Sequence, residues 1–352
     1  MSSLNVDLSN CRYQAMLGVG GIGTGAFFAL NGDHTLGREE SRSGHFLDRR
    51  DYCKLHIISH YVKALLGEEF VTLPIGKVGD DEAGQRLLRE MASAGLDLRY
   101  VQSLPGPQTL YSFCFVYPDG SGGNLTTDNS TCDQVTSDDV ARAKADFDRF
   151  TGQGVALAAP EVPLSARQAL LRMGTSHGFL RVAAFNSAEI APAIEMGFLA
   201  ETDLLALNRD EAAAAAGISP DEGPALPIVE AALSRLQMIN LAMQVTITAG
   251  KEGSWSWDGS TLHHFPAFPV QPVSTAGAGD AFLAGVIAGL VTGLTLPQAQ
   301  ELGSLAAGLA VTSPHTIDPR IDRQSLQSFA SQSILTLSEN VHQLLQEKNA
   351  SS

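Results

Sequence analysis

The sequence predicts an α/β fold with a mostly parallel central sheet, because short apolar segments alternate with helical segments along most of the chain. The strand candidates are residues 15–19, 70–76, 154–160, 180–186, 203–208 and 244–250. Helical stretches lie between several of them, at 82–95, 163–174 and 227–238. This alternation is typical of a sheet with helices on both faces, where ligands bind at the carboxyl ends of the strands.

Two segments interrupt this alternation and predict β-hairpins. Residues 109–129 alternate around Pro118, Asp119 and Gly120, and their position suggests a lid over a binding site. Asn31-Gly32 follows an aromatic stretch, and this dipeptide is a strong signal for a tight turn between strands.

Composition limits the classes of protein and partner. The chain has 352 residues, 44% of them hydrophobic and 17% charged, which is typical of a globular enzyme. A net charge of -15 argues against nucleic acid and anionic membrane surfaces as partners. The first residues lack the basic region and the following apolar region of a secretory signal, so a cytoplasmic protein is expected. The long uncharged run after residue 280 is too short and glycine-rich for a membrane span and predicts a buried core helix.

The stretch GVGGIGTG, residues 18–25, contains the spacing G-x-G-x-x-G at Gly18, Gly20 and Gly23. A dinucleotide site would require a helix directly after these glycines, over residues 24–32. The Asn31-Gly32 signal favours a hairpin there instead, so a crowded backbone turn is the preferred interpretation.

Two histidines, His56 and His60, lie one helical turn apart in the sequence HIISH. This spacing could bind zinc, but the glutamate of zinc proteases is missing and the stretch is amphipathic. Core packing is therefore the preferred interpretation.

The strongest chemical signal is the segment VSTAGAGDAFLAGVIAGL, residues 273–290. Small residues at Gly277, Ala278 and Gly279 allow backbone amides to approach a ligand, and a long apolar helix begins near Asp280. Such an arrangement can bind an anion, while Asp280 takes a proton from a substrate hydroxyl. The alternative is that Asp280 only caps the helix.

This segment resembles the second signature of the ribokinase-like (PfkB-type) carbohydrate kinase family, D-T-x-G-A-G-D, which reads S-T-A-G-A-G-D here. Three other stretches resemble family motifs in the family's order and spacing. They are residues 76–101 (G-x-V-G-x-D-x-x-G), 207–217 (N-x-x-E) and 246–255 (T-x-G-x-x-G).

The resemblance implies a ribokinase-like three-layer sandwich over residues 1–352, with a small β lid at about 25–52 and 97–131. It implies ATP-dependent phosphorylation of a hydroxyl group on a sugar, sugar derivative or nucleoside, and it raises the expectation of a homodimer through the lid. Asp280 would be the general base, and the amides of Gly277, Ala278 and Gly279 would form the anion hole. The residues implied for ATP and Mg²⁺ are Asn208, Glu211 (to the metal through water), Thr248, Gly250, Gly253 and Thr275.

The chain departs from the family on the acceptor side. Residues 15–32 contain no carboxylate, although the family has an aspartate there that binds sugar hydroxyls. The glycine-rich stretch with Gly20, Gly23 and Thr24 is then expected to form a floor beneath the acceptor. The family's first signature aligns either with 43–48, giving Gly44 and Asp48, or with 53–58. Ser274 replaces the first aspartate of the second signature, so a monovalent cation is doubtful.

The missing carboxylate predicts an acceptor with an anionic group, bound by at least one basic residue of the lid region. The candidates are Arg38, Arg42, His45, Arg49, Arg50 and Lys54. Two alternatives to a kinase stay open: a nucleotide-binding protein of the same fold without turnover, and a dinucleotide-binding oxidoreductase.

Overall fold

The computed structural model describes residues 2–32, 37–118, 122–220 and 223–346. Within these ranges the strands are β1 (Ala15–Val19), β2 (Gly23–Leu30), β3 (Gly44–Tyr52), β4 (Val71–Gly79), β5 (Tyr100–Leu104), β6 (Leu110–Val116), β7 (Gly122–Thr126), β8 (Gly154–Ala158), β9 (Leu180–Ala184), β10 (Leu204–Asn208), β11 (Gln244–Thr248), β12 (Ser254–Trp257) and β13 (Leu262–Phe265). The helices are α1 (Lys54–Leu66), α2 (Glu82–Ser93), α3 (Ser137–Ala141), α4 (Lys144–Arg149), α5 (Leu164–Ser176), α6 (Ile190–Glu195), α7 (Arg209–Ala216), α8 (Ala225–Ile239), α9 (Ala278–Val291), α10 (Leu296–Ala310), α11 (Arg323–Gln332) and α12 (Glu339–Leu345).

The large sheet has the strand order β13-β12-β11-β10-β9-β8-β1-β4-β5 over the described residues. The strands from β11 to β5 are parallel, and β12 pairs antiparallel with both β11 and β13. The predicted α/β fold with a mostly parallel sheet is therefore confirmed. All six strand candidates occur, as β1, β4, β8, β9, β10 and β11.

Helices cover both faces of this sheet and form two apolar cores. One core contains residues of α1, α2 and α9–α12, and the other contains residues of α3–α8. Helix α9 is the buried core helix that the apolar run predicts. It approaches α10 closely at Gly285, where an added Cβ would lie 2.7 Å from the Cα of Gly303. No helix among the described residues is both long and apolar enough to cross a bilayer.

The second sheet has the order β3-β2-β6-β7 and corresponds to the small β lid. Strand β2 pairs antiparallel with β3 and parallel with β6. Strands β6 and β7 form the hairpin predicted within 109–129, although Asp119 and Gly120 lie outside the described residues. The predicted lid segment 97–131 also contains β5, which instead pairs with β4 in the large sheet.

The position of β2 decides between the hypotheses for the glycine-rich stretch. A dinucleotide fingerprint requires a helix over residues 24–32, but Gly23–Leu30 is a strand. The dinucleotide hypothesis is therefore wrong. Asn31-Gly32 directly follows β2, which pairs antiparallel with β3 as in a hairpin. Because β3 begins only at Gly44, the connection is longer than a two-residue turn.

The histidines of HIISH lie on α1 among core residues. Burial, with a contribution from the neighbouring His60, lowers the pKa of His56 to about 3. Burial lowers the pKa of His60 to about 4. Both rings are therefore neutral in the folded protein at neutral pH, whereas the ordinary histidine pKa of about 6.5 applies in the unfolded chain.

We expect the protein to lose stability as the pH falls below about 6.5, because the unfolded chain then binds protons that the buried rings reject. Each histidine contributes about 1.4 kcal/mol per pH unit until its folded pKa is reached. Urea unfolding between pH 7.5 and pH 5 measures the slope. His56→Leu should reduce the slope by about 1.4 kcal/mol per pH unit, whereas the exposed His342→Gln should leave it unchanged. Equal slopes in the two variants would contradict the assignment.

Candidate active site

The candidate site lies at the carboxyl ends of the parallel strands. Asn208 ends β10, Thr248 ends β11, and Glu161 follows β8 after two intervening residues. Two helices begin at the same place: Lys54 is the first residue of α1, and Asp280 lies in the first turn of α9. The fold therefore brings together residues that are more than 200 positions apart in sequence, at the edge where such sheets bind ligands.

Asp280 is partly accessible to solvent but surrounded by protein, and its pKa is raised to about 7. Burial is the main cause; the Lys54 ammonium opposes it, and the carboxylates of Glu161, Glu211 and Asp51 add to it. Near neutral pH this carboxyl group therefore exchanges its proton readily. A pKa close to the working pH is the property expected of a general base.

Lys54 links α1 to the strand ends of β9 and β10. Its Nζ donates hydrogen bonds to Glu211 Oε1 at 3.2 Å and to the carbonyl oxygen of Phe185 at 3.3 Å. Burial alone would lower the pKa of Lys54, but the charges of Glu211, Asp280 and Glu161 raise it above its ordinary value. The side chain is therefore a permanent cation within a group of carboxylates.

Asn208 and Glu211 form a capping box at the start of α7. The Glu211 amide donates to Asn208 Oδ1, and the Asn208 amide donates to Glu211 Oε2, both at 2.8 Å. Because Oε1 accepts from Lys54, both carboxylate oxygens of Glu211 already have partners.

Glu161 is a site residue that the sequence analysis missed. Its φ of +73° is in the left-handed region, which costs a non-glycine residue about 1–3 kcal/mol. Burial raises its pKa, and its Oε2 is buried without a hydrogen-bond partner among the described residues. A strained backbone and a buried carboxylate oxygen without a partner, at a strand end, are typical of functional sites. The only sequence signal is its place directly after the strand candidate 154–160.

The start of α9 has the geometry of an anion site. Gly277 is its N-cap with a φ of +78°, and an added Cβ would lie 2.4 Å from the carbonyl oxygen of Thr316. A Cβ on Gly279 would meet no atom within 4 Å, so the space beside the first turn is open. The Ala278 amide donates to the carbonyl of Thr275 at 3.3 Å, so it already has a partner. The helix dipole favours negative charge in this open space.

The residues implied for the nucleotide lie at or just after the end of β11 and just before α9. Thr248 is partly exposed at the end of β11, and Gly250 and Thr275 are exposed. Gly253 has a structural reason for its identity: its φ is +90°, and an added Cβ would lie 2.2 Å from the carbonyl oxygen of Phe265.

The glycines expected beneath the acceptor are packed against protein atoms. An added Cβ on Gly20 would lie 2.8 Å from the Cβ of Ala159, and one on Gly23 would lie 2.6 Å from Leu110 Cδ2. Thr24 Oγ1 donates to the carbonyl of Asp51 at 3.2 Å and accepts from Arg86 at 3.4 Å.

The two alignments of the family's first signature differ in position. Gly44 begins β3 at the end remote from Lys54, roughly 20 Å from Asp51 at ~3.3 Å per residue. Asp48 is exposed on the same strand. The structure does not bring Gly44 or Asp48 to Asp280. Residues 53–58 instead begin α1 and place Lys54 in the site, so the second alignment fits the geometry.

The six basic residues of the lid region are mostly engaged elsewhere. Arg50 pairs with Glu90 at 3.1 Å, and the Arg49 guanidinium stacks on Phe27, 4.4 Å from the ring centroid. Arg38 and Arg42 pair with the neighbouring Glu39 and Glu40, and His45 is exposed. Lys54 is the member of the six that lies beside Asp280. The geometry of these six residues therefore adds little support to the expectation of an anionic acceptor.

Binding of Mg²⁺ requires oxygen ligands from carboxylates, carbonyl groups or water. Among the residues that the structure describes, no group of three or more histidine, cysteine, aspartate or glutamate side chains could hold a metal ion. Because Glu211 already accepts hydrogen bonds at both oxygens, it fits contact with a hydrated ion better than direct coordination.

A carboxyl group at a helix N-terminus, beside open space and the ends of parallel strands, is an arrangement suited to phosphoryl transfer in an enzyme of the α/β class. Residues 62–323 match the pfkB family carbohydrate kinase model. The chain belongs to this family and is a carbohydrate kinase.

Named relatives agree with this class. The chain is 30% identical over 257 residues to an ATP-dependent ribose-1-phosphate kinase of Halopiger xanaduensis, covering 70% of this chain and 77% of the relative. It is 25% identical to a deoxyribokinase of Salmonella typhi, covering 69% and 76%. The ribokinase structure of Giardia lamblia matches with a TM-score of 0.77 at 16% identity, covering 89% and 99%, which shows the shared fold.

The charges around Asp280 predict how its pKa responds to substitution. Lys54→Gln should raise the pKa above about 7, because the cation that stabilises the carboxylate is lost, whereas Glu161→Gln should lower it. Carbon-13 NMR titration of labelled aspartate carboxyl groups measures both shifts, with Asp280→Asn identifying the resonance. Shifts in the same direction in the two variants would contradict the proposed electrostatics.

Proposed function

We propose that the protein transfers the γ-phosphoryl group of ATP to a hydroxyl group of a sugar or sugar derivative, with Asp280 as general base. The observation that carries this proposal is the placement of the Asp280 carboxyl group beside the open N-terminus of α9. Family membership supports the reaction class, and the relatives named as ribose-1-phosphate kinase, deoxyribokinase and ribokinase support a pentose-sized acceptor.

In the proposed reaction the acceptor hydroxyl gives its proton to Asp280 as its oxygen bonds to the γ-phosphorus. The bond from that phosphorus to the bridging oxygen of ATP breaks, and ADP leaves. The free amides at the start of α9, with the helix dipole, stabilise the charge on the transferring group. Because the pKa of Asp280 is about 7, a large fraction of it is ionised at neutral pH.

We assign the nucleotide to the side of the cleft formed by Thr248, Gly250 and Thr275. Mg²⁺, when bound with the nucleotide, supplies positive charge to the phosphate oxygens. Glu211 would hold it through water, and Asn208 fixes the orientation of Glu211 through the capping box. Lys54 holds the other oxygen of Glu211 and so limits the negative charge of the site before nucleotide binds.

The sequence also leaves open a nucleotide-binding protein of the same fold without turnover, which membership of a carbohydrate kinase family does not favour. Such a protein gives no reason for a carboxyl group with a pKa near 7 beside the anion site. Measurement of ADP formation with a panel of pentoses and pentose phosphates separates the two, because only a kinase forms ADP in an acceptor-dependent manner.

Asp280→Asn should reduce phosphoryl transfer by at least about 10³-fold while changing ATP affinity by only a few-fold. The amide can still cap the helix but cannot accept the proton. Coupled ADP assays give the rate, and calorimetry gives ATP affinity. Loss of ATP binding together with activity would assign Asp280 a structural role.

Glu211→Gln should increase the Mg²⁺ concentration required for half-maximal rate more than it changes the acceptor KM. The charge that attracts the hydrated ion is lost, while the amide can preserve much of the capping box. Glu230→Gln, on the exposed side of α8, is the control. An unchanged Mg²⁺ dependence in Glu211→Gln would refute the assignment.

A further inference from the structure

Asp51 of β3 is a lid carboxylate that acts on the site. Ser112 Oγ donates a hydrogen bond to Asp51 Oδ2 at 2.8 Å, and Cys114 Sγ donates to the same oxygen at 3.3 Å. Both donors lie on β6, and β2 lies between β6 and β3 in the sheet. The side chain of Asp51 on β3 therefore reaches across β2 to its donors on β6. The carboxylate is thus fixed through Oδ2, and neither donor uses Oδ1.

Gly25 of β2 provides the space that this arrangement needs. In the strand register Gly25 lies opposite both Asp51 and Ser112. An added Cβ on Gly25 would lie 2.4 Å from Ser112 Oγ and 3.0 Å from the Asp51 Cβ. A side chain at position 25 would therefore displace the Asp51 and Ser112 pair. Strand β2 itself carries no carboxylate. The neighbouring strand β3 places the Asp51 carboxylate beside Gly25 of β2.

Asp51 is on the side of the lid that faces the proposed base. Its charge raises the pKa of Asp280 and of Glu161, and its side chain is partly exposed. Its two donors are neutral groups, while the adjacent Arg50 pairs with Glu90. A charge held near other carboxylates by neutral donors is electrostatically unfavourable. A hydrogen-bond donor on the substrate would offset this electrostatic cost.

We propose that Asp51 is a specificity-determining residue that accepts a hydrogen bond from an acceptor hydroxyl other than the one deprotonated by Asp280. This inference rests on the proposed kinase function. The acceptor then presents at least two hydroxyl groups, one to Asp280 and one to Asp51 Oδ1. The face it turns toward β3 is neutral, because a phosphate or carboxylate beside Asp51 would face like charge.

Asp48 is the rival lid carboxylate, since one alignment of the sequence places it at the acceptor. It lies on the same strand but is exposed, three residues farther from Lys54. Comparing Asp51→Asn with Asp48→Asn therefore decides which carboxylate the acceptor contacts. Asp128→Asn, an exposed carboxylate just beyond β7, controls for loss of negative charge near the lid.

The experiment measures initial rates at saturating ATP with D-ribose, 2-deoxy-D-ribose and D-ribose 1-phosphate, for wild type and the three variants. For the preferred acceptor, Asp51→Asn should lower kcat/KM by about 10- to 100-fold, mainly through KM, as expected for a hydrogen bond to a charged group. The ATP KM should stay within about twofold. If Asp51 contacts the hydroxyl group that 2-deoxy-D-ribose lacks, Asp51→Asn should also reduce the ratio of the kcat/KM values for D-ribose and 2-deoxy-D-ribose.

The outcomes separate the inference from the function on which it rests. If wild type phosphorylates none of the acceptors, the proposed function fails and the inference fails with it. If wild type is active but Asp51→Asn behaves like Asp128→Asn, or if the loss appears in Asp48→Asn instead, only the inference is wrong. Should Asp51→Asn unfold in a thermal melt, Ser112→Ala decides, because it keeps the carboxylate but removes one donor. An acceptor-specific rise in KM of about threefold or more supports the proposal, and an unchanged KM overturns it.

Discussion

The site depends on one cation, the ammonium group of Lys54, placed among several carboxylates. It bonds to Glu211 and acts on Asp280 and Glu161, which would otherwise repel each other in a partly buried cleft. Without this charge the pKa values of Asp280 and Glu161 would be higher, since Lys54 opposes the effects of burial and like charge on both groups. The pKa of the proposed base, which burial raises, is therefore lowered again by a residue more than 200 positions away in sequence.

The position of Lys54 follows from the junction between lid and core. Strand β3 ends at Tyr52 and α1 begins at Lys54, so the lid passes directly into a buried core helix. Asp51 of the lid and Lys54 of the core are three residues apart and act on Asp280 with opposite sign. Any displacement of β3 would change the distance of the Asp51 charge from Asp280. The lid is thus connected electrostatically, as well as sterically, to the chemistry proposed for this site.

The sequence predicts those parts of the molecule that depend on local pattern. Strand and helix alternation predicts the large sheet, and the glycines before Asp280 predict a ligand site at the start of α9. Glu161 and Asp51 were not predicted, because each is a single acidic residue without a motif around it. Their importance comes from contacts across the chain: Glu161 with Cys53, and Asp51 with Ser112. Such contacts exist only once strand order and register are known.

The glycine-rich stretch 18–25 illustrates the same limit. Its spacing suggests close approach to a ligand, but the nearest atoms belong to the protein. An added Cβ on Gly21 would lie 2.6 Å from the Cβ of Glu161, and one on Gly23 would lie 2.8 Å from Cys53 Sγ. Gly25 similarly leaves room for Asp51 and Ser112. Gly21 and Gly25 therefore leave room for the side chains of Glu161 and Asp51, which a larger residue at either position would displace. The stretch therefore supports acceptor chemistry indirectly, by positioning the groups that would bind the acceptor.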